Sequence, residues 1–302
     1  MAPIHDKAFY LALLARHQYA LVDREATPAS TLEGLPLIAL VPDELEADAC
    51  AMPAILPLGP EMPYMERLAV SMQEGEEDRN LSPIGTLIVV PSSVRLDVLK
   101  AHLISRLIVA SPQGRAFLRY YRSDIFPHLV RALSPARLKS LFGPSGQVQE
   151  WTYRFQNDWI TVPAPSITVG VPRHWNVFKD QREALDLVND VNRVLDTYRE
   201  KMGRPWKDHA EWEGKIHVAE LSIDVARRIY HLRTPDDFIA FAMQALTHDE
   251  RFYLHPTIQN ILRRTASCAG AYCNATSNIA DDEWAKMIAE LPLDMRTLGK
   301  PI

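Results

Sequence analysis

Hydrophobic and polar positions follow different patterns in the two halves of the chain. From about residue 19 to residue 163, short apolar runs of β-strand length are separated by segments that contain proline and glycine. These runs are Tyr19–Asp23, Ala54–Leu58, Thr86–Val90, Leu107–Ala110, Ala116–Tyr121, Val148–Phe155 and Trp159–Val162. The pattern predicts a first half that is built around β-strands.

Turns and helix signals complete the prediction for this half. The turns at residues 111–114 and 156–158 each separate two apolar runs and predict two β-hairpins. In the run Ala116–Tyr121, side chains should alternate, with Arg119 and Tyr121 on one face and Leu118 and Tyr120 on the other. Helices are predicted over Val94–Ile104 and, after the Ser134-Pro135 start signal, over Arg137–Phe142.

Beyond residue 172 the period changes from strand-like to helical. Between Phe178 and Met202 apolar residues recur every three or four positions, and Gly203 and Pro205 mark the end of this helix. The same spacing runs from Trp212 to Tyr230, and Thr234-Pro235 followed by two aspartates opens a third helix. Two shorter helices are predicted over Pro256–Thr265 and Asp281–Leu291, which gives about five helices in this half.

The change of pattern predicts the fold class and the domain division. The chain should be an α+β protein with an N-terminal mixed α/β lobe that contains β-hairpins and a C-terminal all-helical lobe. The Pro163-Ala164-Pro165 segment, with Gly170 and Pro172 after it, is typical of a boundary. We therefore expect a mixed domain over residues 1–165 and a helical domain over residues 166–302.

Composition limits the classes of function. The net charge of −5 does not favour binding to nucleic acid. The chain has only three cysteines, which favours a reducing compartment, and charged residues interrupt the apolar N-terminal patches before a signal peptide could form. Because no apolar run reaches the length of a membrane span, we expect a cytoplasmic protein without membrane insertion.

Motifs that support catalysis or a cofactor are absent from the sequence. The chain contains no phosphate-binding glycine loop and no G-x-S-x-G nucleophile elbow. The best candidate metal site combines Cys268 and Cys273 with His248 and His255, but the spacing suits two packing cysteines equally well. We therefore predict that the protein is not an enzyme and needs no cofactor, with a metal-dependent enzyme that uses these four residues as an alternative.

Aromatic residues near arginines are candidate contacts for a protein partner. Trp206 follows Arg204-Pro205 in a predicted turn between helices, and Phe252 and Tyr253 follow Arg251 between two others. Exposed aromatic residues beside arginine are typical anchors of protein interfaces. The alternative interpretation is that these side chains close the ends of the helical core.

A set of short motifs resembles a bacterial family. In order along the chain these are the Y-A-L-V-D strand at Tyr19–Asp23, the segment Met62–Leu68, His102-Leu103, the turn Pro112-Gln113-Gly114, the L-R-Y-Y segment Leu118–Tyr121, Ser134-Pro135, the L-F-G-P segment Leu141–Pro144 and Trp151. Their order and spacing over about residues 17–163 resemble the type VI secretion effector adaptors, also called Tap or TEC chaperones. Two positions depart from the family pattern: Arg122-Ser123-Asp124 stands in place of D-P-R, and Ile84-Gly85 in place of W-G.

The resemblance implies a role in transport. Members of this family bind a toxic effector in the bacterial cytoplasm and help to load it onto the spike protein of the secretion tube. No catalytic residue carries over, so the expected partners are an effector and a spike protein, with Arg119, Tyr121, Trp206, Phe252 and Tyr253 as candidate contacts. An immunity-type or other protein-binding factor is an alternative function.

Overall fold

The chain divides into two compact units, Met1–Leu185 and Asp186–Ile302, which we call the sheet unit and the helical unit. The computed structural model describes residues 5–75, 84–111, 114–156, 158–167, 171, 187–266 and 268–291. Strands occur only in the sheet unit among these residues, and the helical unit contains helices, which confirms the predicted α+β class. The first part of the helix that we expected from Phe178 lies outside the described residues.

The sheet unit contains eight strands and six α-helices within the described residues. In chain order they are α1 (Lys7–Arg16), β1 (Tyr19–Val22), α2 (Ala29–Leu32), β2 (Ile38–Ala39), β3 (Ala54–Pro57), α3 (Met65–Glu74), β4 (Ile84–Val89), α4 (Leu96–Leu107), β5 (Ile108–Ser111), β6 (Gly114–Phe117), α5 (Phe126–Ala132), α6 (Pro135–Phe142), β7 (Glu150–Phe155) and β8 (Asp158–Pro163), with a short 3-10 helix at Asp43–Asp48. The apolar runs predicted seven of these strands, whereas β2 and the helices α1, α2, α3 and α5 were not predicted.

Six strands form one antiparallel sheet in the order β2-β3-β1-β4-β7-β8. The second sheet is the β5–β6 hairpin, in which Ser111 pairs with Gly114. The other predicted hairpin joins β7 to β8, with Phe155 paired to Asp158. Both hairpin predictions are confirmed.

The six-stranded sheet is covered by side chains on both faces. On one face, Tyr10 and Leu14 of α1 and Leu68 and Met72 of α3 pack into one apolar cluster with sheet residues such as Leu87. Leu87 pairs with Thr152 of β7, so these two side chains share a face. Because side chains alternate along a strand, the neighbouring Trp151 points to the opposite face. There the rings of Phe126 in α5 and Phe142 in α6 pack against Trp151, with centroid distances of 4.9 and 5.8 Å.

The helical unit contains six α-helices in its described part. They are α7 (Val188–Met202), α8 (His209–Arg228), α9 (Pro235–Thr247), α10 (Pro256–Thr265), α11 (Ala271–Thr276) and α12 (Asp281–Glu290), with a 3-10 turn at Phe252–Leu254. Helix α9 contacts α7, α8 and α11 and is the centre of the unit. Within the described residues the predicted helices are confirmed, and α11 is an additional helix.

Local signals in the sequence determine where these helices begin and end. The Asp208 carboxylate accepts the Glu211 amide at the start of α8, and the Thr234 hydroxyl accepts the Asp237 amide at the start of α9. Gly203 ends α7 with a left-handed φ of 63°. Because each signal acts within one turn of its own helix, this unit was easier to predict than the sheet.

Candidate functional site

The segment Leu118–Tyr121, which carries part of the family resemblance, is a turn and not a strand. Strand β6 ends at Phe117, and the Arg122 amide donates to the Arg119 carbonyl at 3.1 Å. The predicted alternation of side chains is therefore wrong, because Tyr120 and Tyr121 are both buried, at 0% and 1% exposure. Of the two predicted contacts here, Arg119 is partly exposed and Tyr121 is a core residue.

Gly85 allows this turn to lie against the sheet. It sits at an irregularity in the β1–β4 pairing, where Leu21 pairs with Thr86 and Val22 pairs with Ile84. A Cβ atom at Gly85 would overlap with the carbonyl oxygen of Tyr121. The I-G dipeptide and the L-R-Y-Y segment, far apart in the sequence, are therefore parts of one packing arrangement.

An aromatic layer supports the turn from inside. The Tyr120 ring packs edge-on against Trp151 at 5.6 Å, and its hydroxyl donates to the Leu103 carbonyl at 2.8 Å. Phe126 stacks on Trp151 and tilts against Tyr153. The motif residues Tyr120, Trp151 and Leu103 therefore stabilise the fold, and their presence alone does not mark a binding surface.

Charged side chains surround the turn on its outer side. Arg119 pairs with Glu25 at 2.6 Å, and Arg122 pairs with Asp124 at 2.8 Å. Arg122 also lies 3.8 Å from the Asp23 carboxylate at the end of β1. Burial and the neighbouring Asp23 charge raise the pKa of the Tyr121 hydroxyl well above its usual value, so this phenol stays neutral. The outer surface offers fixed charges of both signs.

Trp206 lies in the turn between α7 and α8, as predicted. Its ring stacks on Tyr198 at 5.9 Å and is half-buried, so one part of the side chain remains accessible. The turn is held by Arg204, whose guanidinium donates to both Glu211 carboxylate oxygens at 2.5 and 3.1 Å. This hydrogen bonding, together with the Lys207 amide, lowers the pKa of Glu211 to about 2.

Phe252 and Tyr253 have different environments. Phe252 is fully buried and packs edge-on against Phe241 at 4.8 Å, whereas Tyr253 is half-buried and stacks on Phe241 at 5.8 Å. Phe252 therefore closes the helical core, which was the alternative interpretation of these aromatics. Tyr253 retains an accessible part, and its role in partner binding stays a prediction.

The alternative metal site is not assembled. Cys268 is exposed and precedes α11, while Cys273 lies within that helix. His255 contacts Glu290 at 3.1 Å, and His248 stacks on Trp284 at 4.8 Å. In the part of the chain that the structure describes, no three His, Cys, Asp or Glu side chains group closely enough to hold a metal ion.

The buried carboxylate of Asp237 has a structural role that the sequence did not reveal. The side chain is 0% exposed and accepts the Gly270 amide at 2.9 Å and the Cys273 amide at 3.0 Å. The Thr234 hydroxyl donates a third bond at 2.8 Å. A residue at the start of α9 thus caps α11. Burial, together with the negative charge of Asp237, raises the pKa of the Cys273 thiol. Helix capping was predicted for Asp237, but only within its own helix.

Exposed apolar residues on α8 were also missed. Ile229, which follows the helix, is 64% exposed and Leu221 is 47% exposed, although the opposite face of α8 buries Trp212, Ile216 and Ile223. The sequence does indicate this exposure, because the positions of Leu221 and Ile229 do not follow the three- and four-residue spacing of the buried residues. Exposed apolar side chains mark a protein interface when they form a contiguous patch.

Comparison with known proteins finds one match, which lies in the sheet unit. Residues 18–140 match the family "Domain of unknown function (DUF4123)". The matched segment runs from β1 into α6 and includes Gly85 and the turn at Leu118–Tyr121. No curated protein and no solved structure gives a significant match to the chain. Among the described residues, no helix is long and apolar enough to cross a membrane.

Proposed function

We propose that the protein is a type VI secretion effector adaptor, which binds its effector in the bacterial cytoplasm and helps to load it onto the spike protein. The observation that carries this proposal is the match of residues 18–140 to the DUF4123 domain, over the segment where most of the motifs of the adaptor family occur. These motifs are distant in sequence, yet Gly85 and Tyr121 meet in one packing arrangement. The resemblance therefore concerns one folded unit rather than scattered short matches.

The side chains on the surface support a role in protein binding. The sheet unit presents paired arginines and carboxylates at Arg119 and Arg122, and the helical unit presents Trp206, Tyr253 and the apolar Leu221 and Ile229. Aromatic and arginine side chains dominate the energetics of most protein interfaces. Two separate compact units provide two surfaces, which suits a protein with two partners.

Secretion of the effector is the readout that tests this role. Deletion of the gene should abolish secretion of one effector, while another effector of the same apparatus is still secreted. Complementation with the wild-type chain should restore secretion. If every effector is lost, the protein is part of the apparatus; if none is affected, the adaptor function is wrong.

An immunity-type factor would give a different result in the same strains. It would bind the catalytic domain of a toxin, and its deletion would make the producing cell sensitive to that toxin. An adaptor deletion should leave the cell resistant. Survival of the deletion strain in the presence of the toxin therefore separates the two functions.

A further inference from the structure

The two edges of the six-stranded sheet differ in how they are protected. At one edge, β2 has only two residues and lies between Pro36 and Pro42. At the other edge, β8 has six residues, Asp158–Pro163, and its four central residues, W-I-T-V, are uncharged. Proteins usually shorten or charge an edge strand because its free backbone groups attract other strands. Strand β2 follows that rule by its short length, whereas β8 has such protection only at its two ends, at Asp158 and Pro163.

The register shows which backbone groups of β8 point outward. The Ala164 amide donates to the Gln149 carbonyl at 2.8 Å, so these residues form a hydrogen-bonded pair. Because such pairs alternate along an antiparallel ladder, residues 158, 160 and 162 direct their backbone groups toward β7. Trp159, Thr161 and Pro163 direct theirs away from it.

The outward groups form a short ladder edge. It offers the N–H groups of Trp159 and Thr161 and the carbonyls of Trp159, Thr161 and Pro163. Within the described residues, no strand pairs with this edge. Pro163 has no N–H and therefore ends the ladder. The four central side chains are each half-buried, so both faces of the strand remain partly accessible.

We propose that the outer edge of β8 is a strand-addition site for an extended segment of a partner protein. An extended backbone is the ligand that matches alternating donors and acceptors at strand spacing. On one face the added strand would lie beside Trp159 and Thr161, and on the other beside Ile160 and Val162, so its matching residues should be β-branched or apolar. The proposal rests on the proposed function only in that the partner is a protein.

The size of the edge favours such a segment over a second copy of this chain. A strand of this length extends about 20 Å, and pairing along it covers only a few hundred Å². A stable interface between two folded proteins needs roughly 1,200 Å² or more. A flexible segment can add contacts beyond the strand because its flanking residues follow the surface.

The test uses Thr161→Pro in the full chain. This substitution removes an outward N–H and leaves the pairing with β7, and proline is tolerated at edge positions whose N–H faces solvent. Thr161→Val is the matched control, because it removes the hydroxyl, which lies 2.9 Å from the Thr152 hydroxyl, but keeps the N–H. The probe is a fluorescein-labelled peptide of alternating threonine and valine with lysines at both ends.

We expect the peptide to bind the wild type and Thr161→Val equally, and Thr161→Pro at least about tenfold more weakly. The same peptide with N-methyl groups on alternate residues should not bind the wild type, a result that does not depend on how well the proline variant folds. Equal binding to Thr161→Pro, binding of the N-methylated peptide, or no binding to the wild type would overturn the proposal. A wild-type dimer that Thr161→Pro dissociates would overturn it in favour of self-association. None of these results alters the secretion test, so the two proposals fail separately.

Discussion

The sheet unit and the helical unit bury their aromatic residues by different means. In the sheet unit, Tyr120, Phe126 and Trp151 come from a turn, a helix and a strand, and they meet only when the sheet has formed. In the helical unit, Phe241, Phe252 and Tyr253 come from α9 and the turn that follows it. The aromatic layer of the sheet unit therefore depends on contacts between distant residues, whereas these three rings of the helical unit lie close together in the sequence. The buried motif residues Tyr120 and Trp151 consequently stabilise the fold of the sheet unit.

The largest expected effect is the loss of the Trp151 ring. Trp151→Ala should lower the free energy of unfolding of the sheet unit by about 3–5 kcal/mol, because it removes a fully buried ring that contacts three other rings. Trp206→Ala, which removes a half-buried ring in the helical unit, should cost much less. Guanidinium unfolding followed by hydrogen exchange would assign each loss to its unit. A similar loss for both variants would contradict the contrast between buried motif residue and surface residue.

The next effect concerns a contact in the helical unit between residues that are distant in sequence. Asp237→Ala should cost about 2–4 kcal/mol, because the Gly270 and Cys273 amides would lose their acceptor. Asp236→Ala is the control, since its carboxylate is exposed and pairs with Arg193 at the surface. Faster amide exchange confined to α11 in Asp237→Ala would locate the effect. If α11 keeps its protection, Asp237 is not its cap.

Much of the fold could be predicted from the sequence, but unevenly. Gly203 and Thr234 gave correct helix ends because each signal acts on neighbouring residues. The strand predicted through Leu118–Tyr121 was wrong, since its alternation looked regular and only the approach of Gly85 shows that a turn belongs there. The candidate contacts also differ in how far they could be predicted. Trp206 stacks on Tyr198, which is close in sequence, whereas Tyr121 is buried in a turn that lies against the distant Gly85.

A smaller effect separates two glycines that look alike in the sequence. Gly85→Ala should cost about 1–3 kcal/mol, because the new methyl group would overlap with the Tyr121 carbonyl. Gly214→Ala in α8 meets no atom within 4 Å and should stabilise the helix by roughly 0.5–1 kcal/mol. Thermal unfolding of the two variants should shift in opposite directions. Equal shifts would mean that the turn does not need the close approach at Gly85.

The smallest effect is a dependence of stability on pH in the sheet unit. Burial, with the charge of Arg106 nearby, lowers the pKa of His102 to about 4, while its Nε2–H donates to the Leu141 carbonyl. Below about pH 6.5 the histidine is protonated in the unfolded chain but stays neutral in the folded chain. The free energy of unfolding is therefore highest above that pH and falls as the pH drops toward 4. At pH 5.5 the loss should be about 1 kcal/mol.

His102→Gln tests this origin of the pH dependence. Glutamine can donate to the same carbonyl but does not titrate, so the variant should show a flatter stability profile between pH 7 and pH 5. Denaturant titrations at several pH values would measure it. An unchanged profile would assign the dependence to another buried group, such as His17, whose pKa is also lowered by burial.

Direct binding tests the central claim, that this chain links an effector to a spike protein. The purified full chain should form a complex with the effector and spike protein of the same cell, detected as one species that contains all three chains by light scattering after size-exclusion chromatography. Trp206→Ala and Arg119→Ala should each weaken one of the two contacts without unfolding the chain. A chain that is folded, yet binds neither protein alone nor both together, would contradict the account.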